Sequence, residues 1–235
     1  MEEEINIIYF IWLNKNRNWS VIIQGQLFDI ISSNILEKSY LNIIISCENN
    51  NLISEAVNLI DEYMLNYRDK YNIEFYNENV YEYYGIKKLY ECAKKNPNSI
   101  YIYLHSKGMF NWYNNDPNRR SEDEVNLTNY LIYTWRDILN VFKNNTNINR
   151  IGLLPSLPGW IWFNFFYARG NYLITCEEPI KNENRYYYES WLASGDQNMG
   201  LSYGIYSGDY KKYEAEEAID IIQKIREKAI DYSKK

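Results

Sequence analysis

The sequence predicts an α/β fold, a single Rossmann-like domain with a mostly parallel central sheet flanked by helices, and three observations carry that expectation. Short apolar runs rich in Ile and Tyr alternate with stretches of helical periodicity, the order that places crossover helices over a parallel sheet. Four such runs occur before residue 106, each separated from the next by a helix-length segment, as repeated βαβ units require. The 235 residues are 46% hydrophobic, which suits one sizeable core and excludes a disordered or fibrous chain.

Residues 5–13, INIIYFIWL, form a continuous apolar run of the kind a strand buried on both faces shows. After a polar loop at 14–18, residues 19–36 place Val21, Ile22, Gln26, Leu27, Ile30, Ile31 and Ile35 near helical spacing. A second strand is expected at 41–46. Residues 52–67 carry Ile53, Ala56, Val57, Ile60 and Met64 on one helical face, and 73–76 reads as a short third strand. The segment 80–95 reads as a helix stopped by Asn96-Pro97-Asn98, since proline cannot continue the ladder and restricts its predecessor. The fourth strand then runs to His105, and 109–120 reads as a mobile loop.

Ser121 is a suitable cap for a helix over 121–144, with Glu122, Asp123 and Glu124 complementing its dipole. Residues 150–154 read as another strand, and 159–174 are aromatic almost throughout, interrupted by Asn164 and Arg169. Polar groups inside such a run must find partners, so these two are informative. A terminal amphipathic helix is expected at 213–232 through Ala218, Ile222, Ile225 and Ala229.

A net charge of −6 and a pI near 5.1 argue against sequence-independent nucleic-acid binding, which needs clustered cations. The run 5–13 is too short to span a bilayer or to form the core of a secretory signal, so a soluble cytoplasmic protein without a membrane span is expected. Cys47, Cys92 and Cys176 lie far apart without CxxC spacing and read as buried reduced thiols. The 25 tyrosines and 7 tryptophans suggest stacking on sugars. Ile, Asn and Lys are abundant too, however, and all four of Ile, Asn, Tyr and Lys have AT-rich codons, so genome composition accounts for most of the tyrosine.

The only histidine, His105, stands where the fourth strand runs out into SKG. Ligands of open α/β sheets sit at the carboxyl ends of central strands, which makes His105, Lys107 and Gly108 candidates for contact with one. A dinucleotide or methyl-donor site is disfavoured, because 14–24 lacks the glycine-rich turn such sites need.

Five blocks in order, NWSVIIQGQLFDIISSNIL (18–36), LHSKG (104–108), Trp135-Arg136, FNFFYARGNYL (163–173) and RYYYESWL (185–192), resemble a group of small glycosyltransferase-like proteins of bacteria and large DNA viruses. That group shows LH(T/S)KG, WR, a GNFWWA-type block and a Glu-x-Trp near the end. The resemblance covers roughly 5–195 and implies a GT-A-type domain. Its nucleotide-binding half would span about 1–108 and its acceptor-side half about 109–210, before the helix at 213–232. It implies transfer of a sugar from a nucleoside-diphosphate sugar, UDP-linked by preference, to a glycan or glycoprotein acceptor, in a host cytoplasm or a virion if the source is viral.

The chain departs from that pattern at Phe163, Phe166 and Tyr167, which replace a glycine and two tryptophans, so pocket shape is in question. No Asp-x-Asp occurs, although GT-A enzymes commonly hold Mn2+ or Mg2+ with one at the end of this same strand; no metal ligand or cofactor is therefore assigned. Departure of a nucleoside diphosphate needs positive charge, and without a metal Lys107, then Arg136, then Arg119 or Arg120 are the cations to supply it. Arg136 reads equally as a surface helix residue in an ion pair. His105 is open between a backbone hydrogen bond, a ligand contact and a metal ligand.

Glu189, among the aromatics of YYYESWL, is the first choice for a general base if those rings exclude water and raise its pKa; a helix-start carboxylate is the alternative. Asp137 and Asp196 are reserves. Asn164 suits a sugar hydroxyl, Trp162 and Phe166 read as core or stacking surface, and Trp12 and Asn14 would line a base pocket. A non-catalytic nucleotide- or carbohydrate-binding module of the same fold fits the missing Asp-x-Asp.

Overall fold

A computed structural model describes residues 4–16, 18–106 and 119–232. Its centre is a seven-stranded sheet. Strands β1 (Ile5–Trp12), β2 (Ser39–Ser46), β3 (Tyr71–Tyr76) and β4 (Ile100–His105) are joined by helices α1 (Trp19–Ser32), α2 (Asn50–Tyr63) and α3 (Tyr83–Lys95). The second half supplies α4 (Glu122–Ile132), α5 (Trp135–Asn144), β5 (Ile148–Gly152), β6 (Phe166–Arg169), α6 (Gly170–Leu173), α7 (Arg185–Ser190), β7 (Leu201–Gly204) and α8 (Ala215–Tyr232). The strand order is β3-β2-β1-β4-β6-β5-β7. All pairings are parallel except those of β6 with β4 and with β5.

The β-rich runs become strands because they are covered on both faces. Ile5, Ile7, Tyr9 and Ile11 pack with residues of α1, α2, α4, α5 and α8, while Ile8 and Phe10 pack with residues of α3, α6 and α7. This is the two-residue alternation of a strand, with apolar residues on both faces from Ile7 onward because neither face meets water. Among the described residues no helix is long and apolar enough to cross a membrane.

Several expected helices are shorter than periodicity suggests. The stretch 121–144 is two helices, because the Thr134 hydroxyl donates to the Tyr130 carbonyl at 2.5 Å and the Trp135 indole donates to the Ser33 carbonyl at 3.0 Å; back-bonding of this kind competes with the helical ladder. α1 stops before Asn34, which adopts a left-handed φ of 59°. α3 begins at Tyr83 rather than 80, since Tyr81 has a φ of 47°.

The face carrying α1 and α4 contains a buried charge network. Arg120 donates through Nε and Nη2 to both oxygens of Glu124 at 2.5 and 2.6 Å, and through Nη1 to Asp29 at 2.7 Å. Burial opposes the guanidinium charge, but these two carboxylates outweigh it and hold its pKa above the ordinary arginine range. Thr128 donates to Glu124, and Gln26 donates to Thr128 at 3.2 Å and to the His105 carbonyl at 3.4 Å. The network thereby reaches the end of β4. Arg150, 1% exposed, instead staples the far loops, donating to Gly159, Tyr172, Gln197 and Gly200.

Replacing Arg120 with Met leaves Asp29 and Glu124 as buried charges without their cation, so urea unfolding should show a loss of about 3–5 kcal/mol. Burial alone raises the phenol of Tyr167, and burial, chiefly, raises that of Tyr172 to about 12. A group whose folded pKa is raised stabilises the fold below its unfolded value, near 10 for tyrosine, and that contribution is lost as pH climbs toward the folded value. Ultraviolet titration should therefore show exposed phenols ionising first and the buried set ionising together with unfolding; smooth ionisation of all tyrosines with the fold intact would contradict this burial pattern.

Candidate functional site

β1 lies between β2 and β4, so the chain leaves its carboxyl end to one side for β2 and to the other for β4. Such a reversal opens a crevice at the strand ends, the place where open α/β sheets take ligands. Its floor is knit by the Trp12 amide donating to Ser106 Oγ at 3.0 Å and the Ser106 amide donating to the Phe10 carbonyl at 2.9 Å. Trp12 is half-buried against the α3 face, and the Asn14 side chain accepts from the Asn16 amide in a local turn. Lys107, Gly108 and the rest of the segment to residue 118 lie outside the described residues.

Beside this crevice a polar cluster is built from three elements. Glu82 is the residue that starts α3 and is 7% exposed. Its Oε2 accepts from the Tyr103 hydroxyl at 3.3 Å and from Asn164 Nδ2 at 2.7 Å. Asn164 Nδ2 also donates to the Tyr188 carbonyl at 3.2 Å. His105, 5% exposed, places Nε2 3.1 Å from the Phe163 carbonyl and Nδ1 3.9 Å from Glu82 Oε1. A carbonyl only accepts, so Nε2 carries the proton there and Nδ1 keeps its lone pair in the neutral ring. Burial, reinforced by the Glu82 carboxylate, pushes the Tyr103 phenol well above its ordinary range, which keeps it a donor.

The backbone at this cluster is strained. Phe163 and Asn164 take consecutive φ values of 69° and 59°, and Tyr81 takes 47°. Of the four non-glycine residues with positive φ among those described, these three surround Glu82; left-handed backbone costs an L-residue about 1–2 kcal/mol and persists where surroundings enforce it.

The structure thus brings His105 and Asn164 together and joins to them, through the Tyr188 carbonyl, the helix bearing Glu189. It does not supply the dry surroundings expected for Glu189. On α7 Tyr188 turns inward, while the Glu189 side chain is 48% exposed and faces Arg185 at 3.9 Å; successive helical residues point about 100° apart, so aromatic neighbours in sequence do not enclose it.

Arg136 is likewise not brought to the crevice. It is exposed, with its guanidinium 4.2 Å from the ring centroid of Trp135, whose indole is tied to Ser33. That anchor lies seven residues beyond Gln26, or about 10 Å further along α1. Arg119 and the reserve Asp137 are exposed, the reserve Asp196 accepts from the Asn198 amide, and Arg120 is committed to two carboxylates. Phe166 is core, stacked on Tyr103 at 5.4 Å, and Trp162 donates its indole proton to the Tyr213 carbonyl. Of the assigned cations, therefore, Arg136 lies away from the crevice and Arg120 is spent on buried carboxylates.

No protein-family model matches the sequence, and a search of curated proteins finds no match.

Asn164 can be dissected by substitution. Alanine and glycine both forfeit its two amide hydrogen bonds, but only glycine accepts the left-handed backbone freely. Asn164→Gly should therefore be more stable than Asn164→Ala by about 1 kcal/mol, with both less stable than the parent in chemical unfolding; equal stabilities would show that residue 164 is not held at positive φ.

Proposed function

We propose that this chain is a glycosyltransferase that moves a sugar from a nucleoside-diphosphate sugar, UDP-linked by preference, to a glycan or protein-linked glycan, acting in the cytoplasm and without an Asp-x-Asp metal site. The observation that carries the reading is convergence. His105 of LHSKG, Asn164 of FNFFYARG and Tyr188 of YYYES come from blocks far apart in sequence and meet in one hydrogen-bonded cluster beside the crevice at the end of β4. Strained backbone at that cluster supports a functional rather than a merely structural role.

On this reading Trp12 and Asn14, past the end of β1, border the nucleotide base. Lys107, with Gly108 allowing close approach, balances charge on the departing diphosphate. Glu189, one residue beyond Tyr188 on α7, takes the proton of the acceptor hydroxyl, and the acceptor itself displaces water from its exposed carboxylate. Asn164 is fixed by Glu82 and Tyr188 and orients the sugar side of the site.

The second reading, a non-catalytic nucleotide- or carbohydrate-binding module, draws support from two findings: Arg136 lies elsewhere, and Arg120 is neutralised by Asp29 and Glu124. Calorimetry and donor-hydrolysis assays across UDP-, GDP- and TDP-sugars, each with Mn2+ and again with EDTA, separate the two. Transfer predicts binding with turnover, reduced by about 10²–10⁴ in Glu189→Gln and lost in Lys107→Ala with folding intact. Binding without turnover under every condition supports the module, and no binding of any member of the panel overturns both.

A further inference from the structure

The Glu82 cluster has a surplus of acceptors. Among the described residues His105 Nδ1 and Asn164 Oδ1 are buried with no hydrogen-bond partner, although buried polar atoms are almost always paired. Both belong to side chains that address the same carboxylate, whose Oε1 faces Nδ1 at 3.9 Å. That separation is too long for a hydrogen bond, so a protonated ring in this position would not close the gap directly. The amide orientation is not the source of the surplus: turning Asn164 over would point its oxygen at Glu82 Oε2 and the Tyr188 carbonyl, both acceptors.

An imidazole nitrogen, a carboxylate oxygen and an amide oxygen, all offering lone pairs and none a proton, form a donor set for a cation. We propose that Glu82 Oε1, His105 Nδ1 and Asn164 Oδ1 hold a first-row divalent ion of the Mn2+ or Zn2+ class. The surroundings are those of a ligating set. Nε2–H donates to the Phe163 carbonyl, and a histidine that ligates through one nitrogen habitually gives its other N–H to a backbone carbonyl or carboxylate. The second oxygen of Glu82 is held by Tyr103 and Asn164, which orients the first.

Ligands about 2.1 Å from a common ion stand roughly 3.0–3.4 Å apart at octahedral or tetrahedral angles. The observed 3.9 Å therefore needs to close by about 0.5–0.9 Å, within reach of χ rotations. One nitrogen and few charges disfavour Ca2+, which wants six to eight oxygens, and favour borderline ions. The set went unnoticed in the sequence because its carboxylate is 23 residues before the histidine, and the amide is not a residue that metal-spacing rules count. Among the described residues there is no group of three or more His, Cys, Asp or Glu side chains suited to a metal.

The site stands on this geometry alone and does not rest on the transfer reading. Its test exploits the fact that His105 is the only histidine in the chain. The full chain, freed of any histidine tag and treated with chelator, is titrated by calorimetry with Mn2+, Zn2+, Mg2+ and Ca2+. Electron spin-echo spectra are then recorded with bound Mn2+. The expected result is one ion per chain, Zn2+ and Mn2+ bound at least tenfold more tightly than Ca2+, and an imidazole-nitrogen modulation that only His105 can supply.

Glu82→Gln should weaken Mn2+ and Zn2+ by tenfold or more, and Tyr103→Phe, which only frees the carboxylate to turn, by about tenfold. Absence of ion binding, bound Mn2+ without nitrogen modulation, or unchanged affinity in folded Glu82→Gln each overturns the site and leaves an ordered water as the occupant. Should Glu82→Gln not fold, the parent's nitrogen signature decides alone. Ion binding without binding of any nucleotide sugar leaves this inference standing and removes the transfer reading; the reverse result does the opposite.

Discussion

Parallel pairing of β1 with both β2 and β4 is the constraint on which everything else depends. A strand hydrogen-bonded on both edges and covered on both faces has no place for a polar side chain except at its ends. Polar chemistry in this chain accordingly gathers where β1 and β4 stop: Ser106 accepts from Trp12, the His105 carbonyl accepts from Gln26, and the His105 ring turns toward Glu82. Because β2 and β4 leave β1 in opposite directions, those ends border a crevice rather than a covered edge.

Glu82 determines how the second half of the chain meets the first. A buried carboxylate needs donors, and it finds them on β4 (Tyr103) and on the turn before β6 (Asn164). Asn164 in turn fixes α7 through the Tyr188 carbonyl. The positive φ of Phe163 and Asn164 is the cost of aiming the amide at Glu82 and the Phe163 carbonyl at His105 together. Charge-assisted hydrogen bonds are the strong class, and they offset that strain. On the other face the ion network of Asp29, Arg120 and Glu124 runs through Thr128 and Gln26 to the His105 carbonyl, so the end of β4 is gripped from both sides of the sheet.

Much of this was legible in the sequence. The first four strands and the helices between them follow from apolar runs and helical spacing, and the α/β class follows from their order. His105 was legible from its position alone, and Asn164 from being polar within an aromatic run. β6 and β7 were not, because four-residue strands lie below the length at which periodicity speaks, and FYAR is aromatic on both faces for the same reason β1 is apolar on both. Glu82 carried the same signal as Asn164, a polar residue between Tyr81 and Tyr83, but the run 80–95 reads as helix and a helix readily carries a surface glutamate. Glu189 and Arg136 went the other way: Tyr188 and Trp135 take the buried positions of α7 and α5, and helical rotation turns their neighbours outward.

The central claim is that the crevice at the ends of β1 and β4, beside His105, is where this protein meets its ligand. The most direct measurement is nitrogen-edited NMR of the single imidazole while a UDP-sugar is titrated into the labelled chain. The account predicts a proton on Nε2 in the free protein and a saturable shift of the ring resonances as ligand binds. Binding that leaves the His105 ring signals unmoved would place the ligand elsewhere and contradict it.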